Sequence, residues 1–306
     1  MANIKKIQRP IQYAFVYRLV QFFIVVSNAV PRKAWLSFCG SLGTLTYWLM
    51  GKTRREAMQS ITTAYPEKTP AERQALCKRF FRMLGKNAGD ILRATRVDSL
   101  ARMEKFLVTH DYQNFEKANA RRNGVIFLAG HVGAFDLMVT NFALRGFNPH
   151  VIGTPLKDPR LNELLWGYRN RYGAVAIQRG KETFRMIKVL KSGGYVALLI
   201  DQDTQVKSRF VNFFGKPAAT PVGAAILAMK TGAAVVPVYI HLAPDGQQHM
   251  RFMPELPIQI TGDDEADMIE NTQRMTTAIE QQVRLHPEQW VWMHQRWKTK
   301  PGEEIR

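Results

Sequence analysis

Residues 124–137 read GVIFLAGHVGAFDL. The run from Val125 to Ala129 is entirely apolar, which is typical of a strand buried on both faces of a sheet. Glycines then stand on both sides of a histidine, and an apolar stretch with the length of a helix follows. The segment therefore predicts a strand, a tight turn that holds His131, and a helix with Asp136 in its first turns.

Four more apolar runs repeat this rhythm and predict a parallel sheet. They lie at 150–154, 174–178, 195–201 and 233–242, and helices are predicted between the strands at 134–145, 158–172, 181–192 and 221–231. A further strand at 249–256 and a long polar stretch at 263–285 close the domain. Pro237 favours an edge or bulged position for its strand. We therefore predict an α/β fold with a mixed, mostly parallel sheet flanked by helices.

The first 50 residues predict a hydrophobic helical membrane anchor. Residues 11–30 and 35–50 are apolar, follow cations, and are close to the about 20 residues that cross a bilayer. Arg18 interrupts the first stretch, so a spanning anchor and an interfacial anchor both stay open, and a cleaved signal peptide is disfavoured. The cations before the stretch predict that the rest of the chain lies on the cytoplasmic side.

Two regions follow this anchoring segment of residues 1–50. Residues 51–110 alternate basic and apolar positions at helical spacing and predict a basic helical layer. Residues 123–306 carry the strand pattern and predict the α/β core, so that 51–306 form one domain. A chain of 306 residues that is 46% hydrophobic is large enough to bury such a core.

The composition predicts an anionic partner. Lys and Arg number 43 against 25 Asp and Glu, a formal net charge of +18. Nucleic acid, a phospholipid surface and an acidic carrier or substrate all fit this charge, although no nucleic-acid-binding motif is recognisable. The chain has only two cysteines, which argues against a disulfide framework and for a reducing compartment.

His131 and Asp136 form the candidate catalytic pair. A carboxylate bonded to one imidazole nitrogen fixes the tautomer and leaves the other nitrogen to take a proton from an acceptor hydroxyl. No serine or cysteine stands in a nucleophile-elbow pattern, and no third ligand has the spacing of a metal site. The alternative is structural, with His131 as a turn residue and Asp136 as a carboxylate at a helix start.

Three long segments extend this pattern into a family resemblance. They are residues 166–180 (WGYRNRYGAVAIQRG), 198–239 (from LLIDQD to VVPVY) and 287–301 (PEQWVWMHQRWKTKP). With the N-terminal hydrophobic segment and the His131-x4-Asp136 spacing, they make the chain resemble the late acyltransferases of lipid A biosynthesis, in the lysophospholipid acyltransferase superfamily. The resemblance implies that His131 is the general base and Asp136 its carboxylate partner.

The resemblance also implies substrate-binding residues. Arg169 matches an essential arginine of the family, with Arg171 as its neighbour, and Arg179 matches a phosphate-binding arginine of the superfamily. Asp201 falls on an acidic position after a strand. Gly215 is a candidate for close approach of the backbone to a substrate. Each has a structural alternative: the arginines as solvated surface cations, the carboxylate as a strand cap.

The expected activity is therefore acyl transfer without a covalent enzyme intermediate. The donor is a thioester of acyl carrier protein, or acyl-CoA, and the acceptor is a hydroxyl of a lipid A precursor, an anionic glycolipid. The enzyme is expected to contact inner-membrane phospholipids on the cytoplasmic face and to need no cofactor, no metal and no nucleic acid. Two rivals stay open: the same chemistry on another lipid (a glycerophospholipid, an ornithine-type lipid or another glycolipid), and a basic membrane-tethered binding protein without catalysis.

Overall fold

The computed structural model describes residues 2–153, 156–178, 183–303 and 305, with the backbone alone for 2–12, 178 and 183. The helices are α1 (Ala2–Ala29), α2 (Arg32–Leu49), α3 (Gly51–Ala64), α4 (Pro70–Ala94), α5 (Leu100–Met103), α6 (Tyr112–Asn119), α7 (Asp136–Leu144), α8 (Pro159–Asn170), α9 (Thr183–Lys191), α10 (Gly223–Thr231) and α11 (Asp264–Leu285), and a 3₁₀ helix at Pro287–Gln289. The strands are β1 (Leu107–His110), β2 (Val125–Ala129), β3 (His150–Gly153), β4 (Val175–Gln178), β5 (Tyr195–Leu199), β6 (Ser208–Phe213), β7 (Lys216–Pro221), β8 (Ala234–Leu242) and β9 (Gln248–Phe252).

Seven of these strands form one sheet in the order β1-β9-β8-β2-β5-β3-β4. Neighbours run parallel except for β8 and β9, which are antiparallel. Side chains of β2 alternate between two hydrophobic clusters, with Ile126 and Leu128 in one and Val125 and Phe127 in the other. Helices thus cover both faces of the sheet, which confirms the predicted mostly parallel α/β fold and explains the unbroken apolar run of β2.

Two strand predictions need correction. β8 is an interior strand, because it pairs with β2 on one side and with β9 on the other. Pro237 is tolerated there because it is the last residue in register with β2, and the ladder to β9 begins one residue later at Val238. Residues 208–221 form the antiparallel hairpin β6–β7, where no strand was predicted.

The N-terminal helices pack on the domain through α4. A Cβ at Gly43 of α2 would lie 2.1 Å from the backbone oxygen of Phe81 in α4, so the two backbones touch at a glycine. The indole of Trp35 is buried in the same interface and donates to the backbone oxygen of Gly89 at 2.9 Å. Helix α2 is therefore an integral part of the packed structure. Over the described part of the chain, no helix combines the length and the hydropathy needed to cross a bilayer.

Candidate active site

His131 and Asp201 lie side by side because they follow two neighbouring parallel strands. β2 pairs with β5, and Ala129 stands opposite Leu199 at the last position of the register. His131 and Asp201 each come two residues after that pair, at the carboxyl edge of the sheet, where open α/β sheets bind their ligands. The register of the sheet therefore brings this imidazole and this carboxylate together.

Two hydrogen bonds join the pair. The backbone N–H of His131 donates to Oδ2 of Asp201 at 2.6 Å, and Nδ1 lies 2.7 Å from Oδ1. Because an ionised carboxylate can only accept, Nδ1 is the donor and Nε2 carries the lone pair. The imidazole is 21% exposed and Nε2 has no hydrogen-bond partner among the described residues. The basic nitrogen is thus open to a substrate.

A third donor helps to keep Asp201 ionised. Trp290 donates from Nε1 to Oδ2 of Asp201 at 2.7 Å. Burial by itself raises the pKa of this carboxyl group, but the charge and the hydrogen bonds of His131, with the bond from Trp290, outweigh burial and lower the pKa to about 2. Asp201 is therefore a buried anion at neutral pH. Such an anion fixes the tautomer of His131 and stabilises the imidazolium that forms when Nε2 takes a proton.

Asp136 is bonded to Arg169, so the predicted pairing of His131 with Asp136 needs correction. Oδ1 of Asp136 accepts from Nε of Arg169 at 3.0 Å and from Nη2 at 2.7 Å, with both side chains largely buried. Asp136 is the first residue of α7 and Arg169 lies in the last turn of α8. The ion pair ties these two helices together beside the site. The catalytic role of Asp136 stays a prediction.

The turn between β2 and α7 is shaped to hold this contact. A Cβ at Gly130 would lie 3.2 Å from Oδ2 of Asp201, so glycine leaves room for the carboxylate. Gly133 has a φ of +63°, a conformation that side chains other than glycine rarely adopt. The ring of Phe135 meets the imidazole of His131 edge-on, with the centroids 4.9 Å apart. The turn thus directs the imidazole toward Asp201.

The segment around Trp290 is fastened to this turn by backbone hydrogen bonds. The N–H of Gly133 donates to the backbone oxygen of Gln289 at 2.9 Å, and the N–H of Val291 donates to that of His131 at 3.2 Å. Trp290 had no predicted role at the site, and its bond to Asp201 was missed. No local motif carries that bond, because 89 residues separate the two side chains.

Two of the remaining predicted residues, Arg171 and Gly215, lie apart from the pair. Arg171 is exposed at the end of α8 and donates to the backbone oxygen of Thr95. Gly215 is exposed at the tip of the β6–β7 hairpin, with a φ of +70° that favours glycine and open space where a Cβ would be, and its role in substrate binding stays a prediction. Arg179 lies outside the described residues.

Neither cysteine is set up as a nucleophile. Cys39 and Cys77 are both buried, and burial raises the pKa of each thiol to about 11. They are therefore thiols at neutral pH, and the thiolate is the reactive form. Among the described residues, no cluster of three His, Cys, Asp or Glu side chains is placed to hold a metal ion.

Comparisons with known proteins identify the family of this chain. A family model described as bacterial lipid A biosynthesis acyltransferase matches residues 2–299. The lipid A biosynthesis lauroyltransferase of Escherichia coli K12 is 27% identical over 86% of this chain and 84% of its own length, and the myristoyltransferase of the same organism is 30% identical over 87% and 80%. A phosphatidylinositol mannoside acyltransferase of Mycobacterium tuberculosis is 25% identical over 63% of this chain and 60% of its own. The chain is an acyltransferase and belongs to the bacterial lipid A biosynthesis acyltransferase family.

Proposed function

We propose that the protein transfers a fatty acyl group from a thioester of acyl carrier protein to a hydroxyl group of a lipid A precursor. The observation that carries this proposal is the pair of His131 and Asp201, a partly exposed imidazole bonded at 2.7 Å to a fully buried carboxylate. Such a pair supplies a general base, and acyl transfer to a hydroxyl needs one. Family membership supplies the substrate class.

The proposed reaction proceeds in one transfer. Nε2 of His131 takes the proton of the acceptor hydroxyl as the oxygen attacks the thioester carbonyl, and the buried anion Asp201 stabilises the imidazolium. The C–S bond then breaks, and the imidazolium returns the proton to the departing sulfur. The products are an ester and a free thiol. The buried thiols of Cys39 and Cys77 agree with a mechanism that has no covalent enzyme intermediate.

One relative points to a different class of acceptor lipid. The mycobacterial relative is named for action on phosphatidylinositol mannoside, a lipid of another class, although it matches a smaller part of the chain than the two Escherichia coli enzymes do. Transfer to another lipid is therefore the second candidate. Profiling of purified lipid A precursor, phosphatidylinositol mannoside, a glycerophospholipid and an ornithine-type lipid as acceptors distinguishes the two, and the proposal expects lipid A precursor to be the best substrate.

The proposed location is the cytoplasmic face of the inner membrane, with α1 and α2 lying on the bilayer. Several large apolar side chains of these two helices are exposed to solvent. They are Phe15, Leu19, Phe22 and Val25 of α1 and Phe38, Leu45, Trp48 and Leu49 of α2, which we call the apolar face. An exposed apolar face on helices of a basic protein suits an interface with anionic lipids. We propose an interfacial anchor of this kind.

Three variants test the catalytic assignment. His131→Ala and Asp201→Asn should each lower kcat on the order of 10²–10⁴-fold, because one removes the base and the other the anion that orients it. Asp136→Asn should mainly lower the thermal unfolding temperature, because it breaks the ion pair with Arg169. Acyl transfer is followed by thioester consumption and by mass spectrometry of the lipid, and folding by circular dichroism.

The same variants can overturn the assignment. A folded His131→Ala protein with near-normal turnover would show that His131 is not the general base. A severe loss of kcat in Asp136→Asn at unchanged stability, together with a mild loss in Asp201→Asn, would return the partner role to Asp136.

A further inference from the structure

A cleft lies between α3, the start of β7 and the C-terminal segment 295–301. It has a volume of about 480 Å³, and its lining includes Lys216, Lys298 and Lys300. None of these three ammonium groups forms an ion pair with a carboxylate of the described residues. The acid that lines the cleft, Glu56, accepts a hydrogen bond from Gln295 at 3.1 Å. The cleft therefore carries an excess of positive charge.

Arg296 adds a buried cation to this cleft. Its side chain is fully buried, and it donates to the backbone oxygen of Ala219 and to the hydroxyl of Thr220. Burial lowers the pKa of Arg296 to about 10, while Asp201 and Asp203 act in the opposite direction, so the guanidinium is charged at neutral pH. It forms no ion pair with any carboxylate of the described chain. Asp201 and Asp203 therefore act on this charge through space, without a direct salt bridge.

Two residues that line the cleft each carry a buried N–H donor without an acceptor. Nε of Arg296 and Nε1 of Trp297 are buried, and neither has a hydrogen-bond partner among the described residues. Buried donors in folded proteins are almost always satisfied by protein, water or a ligand. Unsatisfied donors beside unpaired cations call for an anion with several acceptor oxygens.

We propose that this cleft binds a phosphoryl group. A phosphate carries both the negative charge and the number of acceptor oxygens that this surface lacks, and lysine and arginine are its usual partners. As a step in catalysis the proposal rests on the proposed function. Two reactants of that function can carry such a group: the headgroup of a phosphorylated glycolipid acceptor, and the phosphopantetheine arm of the thioester donor.

The cleft is joined to the catalytic pair through the chain itself. Asp203 is buried and follows Asp201 by two residues. Its carboxylate accepts from the N–H of Thr299 at 2.8 Å and from the hydroxyl at 2.9 Å, and Thr299 stands between the two lysines of the C-terminal segment. A phosphoryl group held in the cleft is thereby fixed relative to the end of β5. Its binding energy can position the reacting part of the substrate.

The test is direct binding to the full-length protein without turnover. Inorganic phosphate, glucosamine 1-phosphate and 4′-phosphopantetheine are titrated by calorimetry, with glucosamine and pantetheine as phosphate-free controls. The double variant Lys298→Gln/Lys300→Gln changes two exposed cleft residues, and Lys191→Gln/Lys230→Gln makes the same charge change at exposed lysines elsewhere. Loss of two charged contacts should weaken phosphate binding about tenfold or more, and the control pair should stay within about twofold.

The outcomes separate the possible sources and failures. Binding of glucosamine 1-phosphate but not of 4′-phosphopantetheine assigns the cleft to the acceptor, and the reverse assigns it to the donor. Equal weakening in both double variants, or no phosphate-dependent binding at all, overturns the proposal. Binding that survives in a protein without acyl transfer would contradict the proposed function and leave the phosphoryl site standing.

Discussion

The indole N–H of Trp290 is a single donor whose removal should change the catalytic pair without unfolding it. It lies 2.7 Å from Oδ2 of Asp201, and a hydrogen bond to a charged group contributes about 1.5–3 kcal/mol. Trp290→Phe should therefore lower kcat about tenfold or more with little change in KM. The pKa of Asp201 should also rise, because one of the hydrogen bonds that lower it is lost, so activity should fall at a less acid pH than in the wild type.

Trp292→Phe is the matched control. Trp292 is just as buried, but its indole donates to the backbone oxygen of Pro287. Both substitutions remove a similar volume and one N–H, so loss of packing affects both variants. Similar kcat values and pH profiles in the two variants would show that Trp290 only fills space.

The sequence predicts which residues belong to the candidate site better than it predicts which of them bond to each other. The sequence singles out His131 by its position after a buried strand, and it marks Asp201 as an acidic position after another. Their contact depends on β2 lying next to β5, and the 70 residues between the two side chains do not reveal that neighbour. Asp136 is nearer to His131 in the sequence and was predicted as its partner from that spacing. At the start of α7, however, its side chain bonds to Arg169.

Among the helices, α1 offers a test of how the protein meets the membrane. Phe15 and Phe22 belong to the apolar face and are 68% and 59% exposed. If both enter the bilayer interface, replacing them with glutamate should cost about 3 kcal/mol of binding, or about a hundredfold in the partition coefficient. Co-sedimentation of Phe15→Glu/Phe22→Glu protein with vesicles of phosphatidylethanolamine and phosphatidylglycerol measures this loss.

The control for this test uses equally exposed apolar residues elsewhere. Ile260 and Leu285 are 66% and 67% exposed and lie outside the apolar face. Ile260→Glu/Leu285→Glu adds the same two charges and should leave vesicle binding nearly unchanged. Equal vesicle binding by the two double variants would show that α1 does not enter the membrane interface. Deleting α1 and α2 together is a poorer test, because Trp35 and Gly43 pack α2 into the core against α4.

Secondary structure was predictable wherever the apolar residues follow a single pattern along the sequence. The five core strands of the parallel sheet follow short apolar runs, so the sequence predicts them well. The β6–β7 hairpin was missed, because β7 reads KPAATP and so has two prolines and no alternation of apolar and polar residues. Pro237 suggested an edge strand, a rule that fails where a strand changes partners.

A network of buried polar side chains runs through the molecule and connects the N-terminal helix α2 to the candidate active site. Arg32 of α2 holds Asp90 of α4 with two hydrogen bonds of 2.8 and 2.7 Å. Gln248 of β9 donates to Asp90 at 2.8 Å and to Asn87 at 3.2 Å, and Asn87 donates to Gln289 at 3.3 Å. Gln289 directly precedes Trp290, so helix α2 and the segment that supports Asp201 belong to one hydrogen-bonded network.

The net charge of +18 leads to a prediction about the donor. If the donor is an acidic carrier protein, the basic surface accelerates its encounter, and salt screens that attraction over a distance that falls from about 10 Å at 0.1 M to about 3 Å at 1 M. With the acceptor saturating, kcat/KM for the acyl carrier protein thioester should therefore fall about tenfold or more between roughly 0.05 and 0.5 M NaCl. An uncharged donor, the acyl thioester of N-acetylcysteamine, feels no such field, and its rate should change less than about twofold over the same range. Equal salt dependence of the two donors would mean that salt acts on the enzyme or on the acceptor lipid, and that the surface charge has no part in recognising the donor.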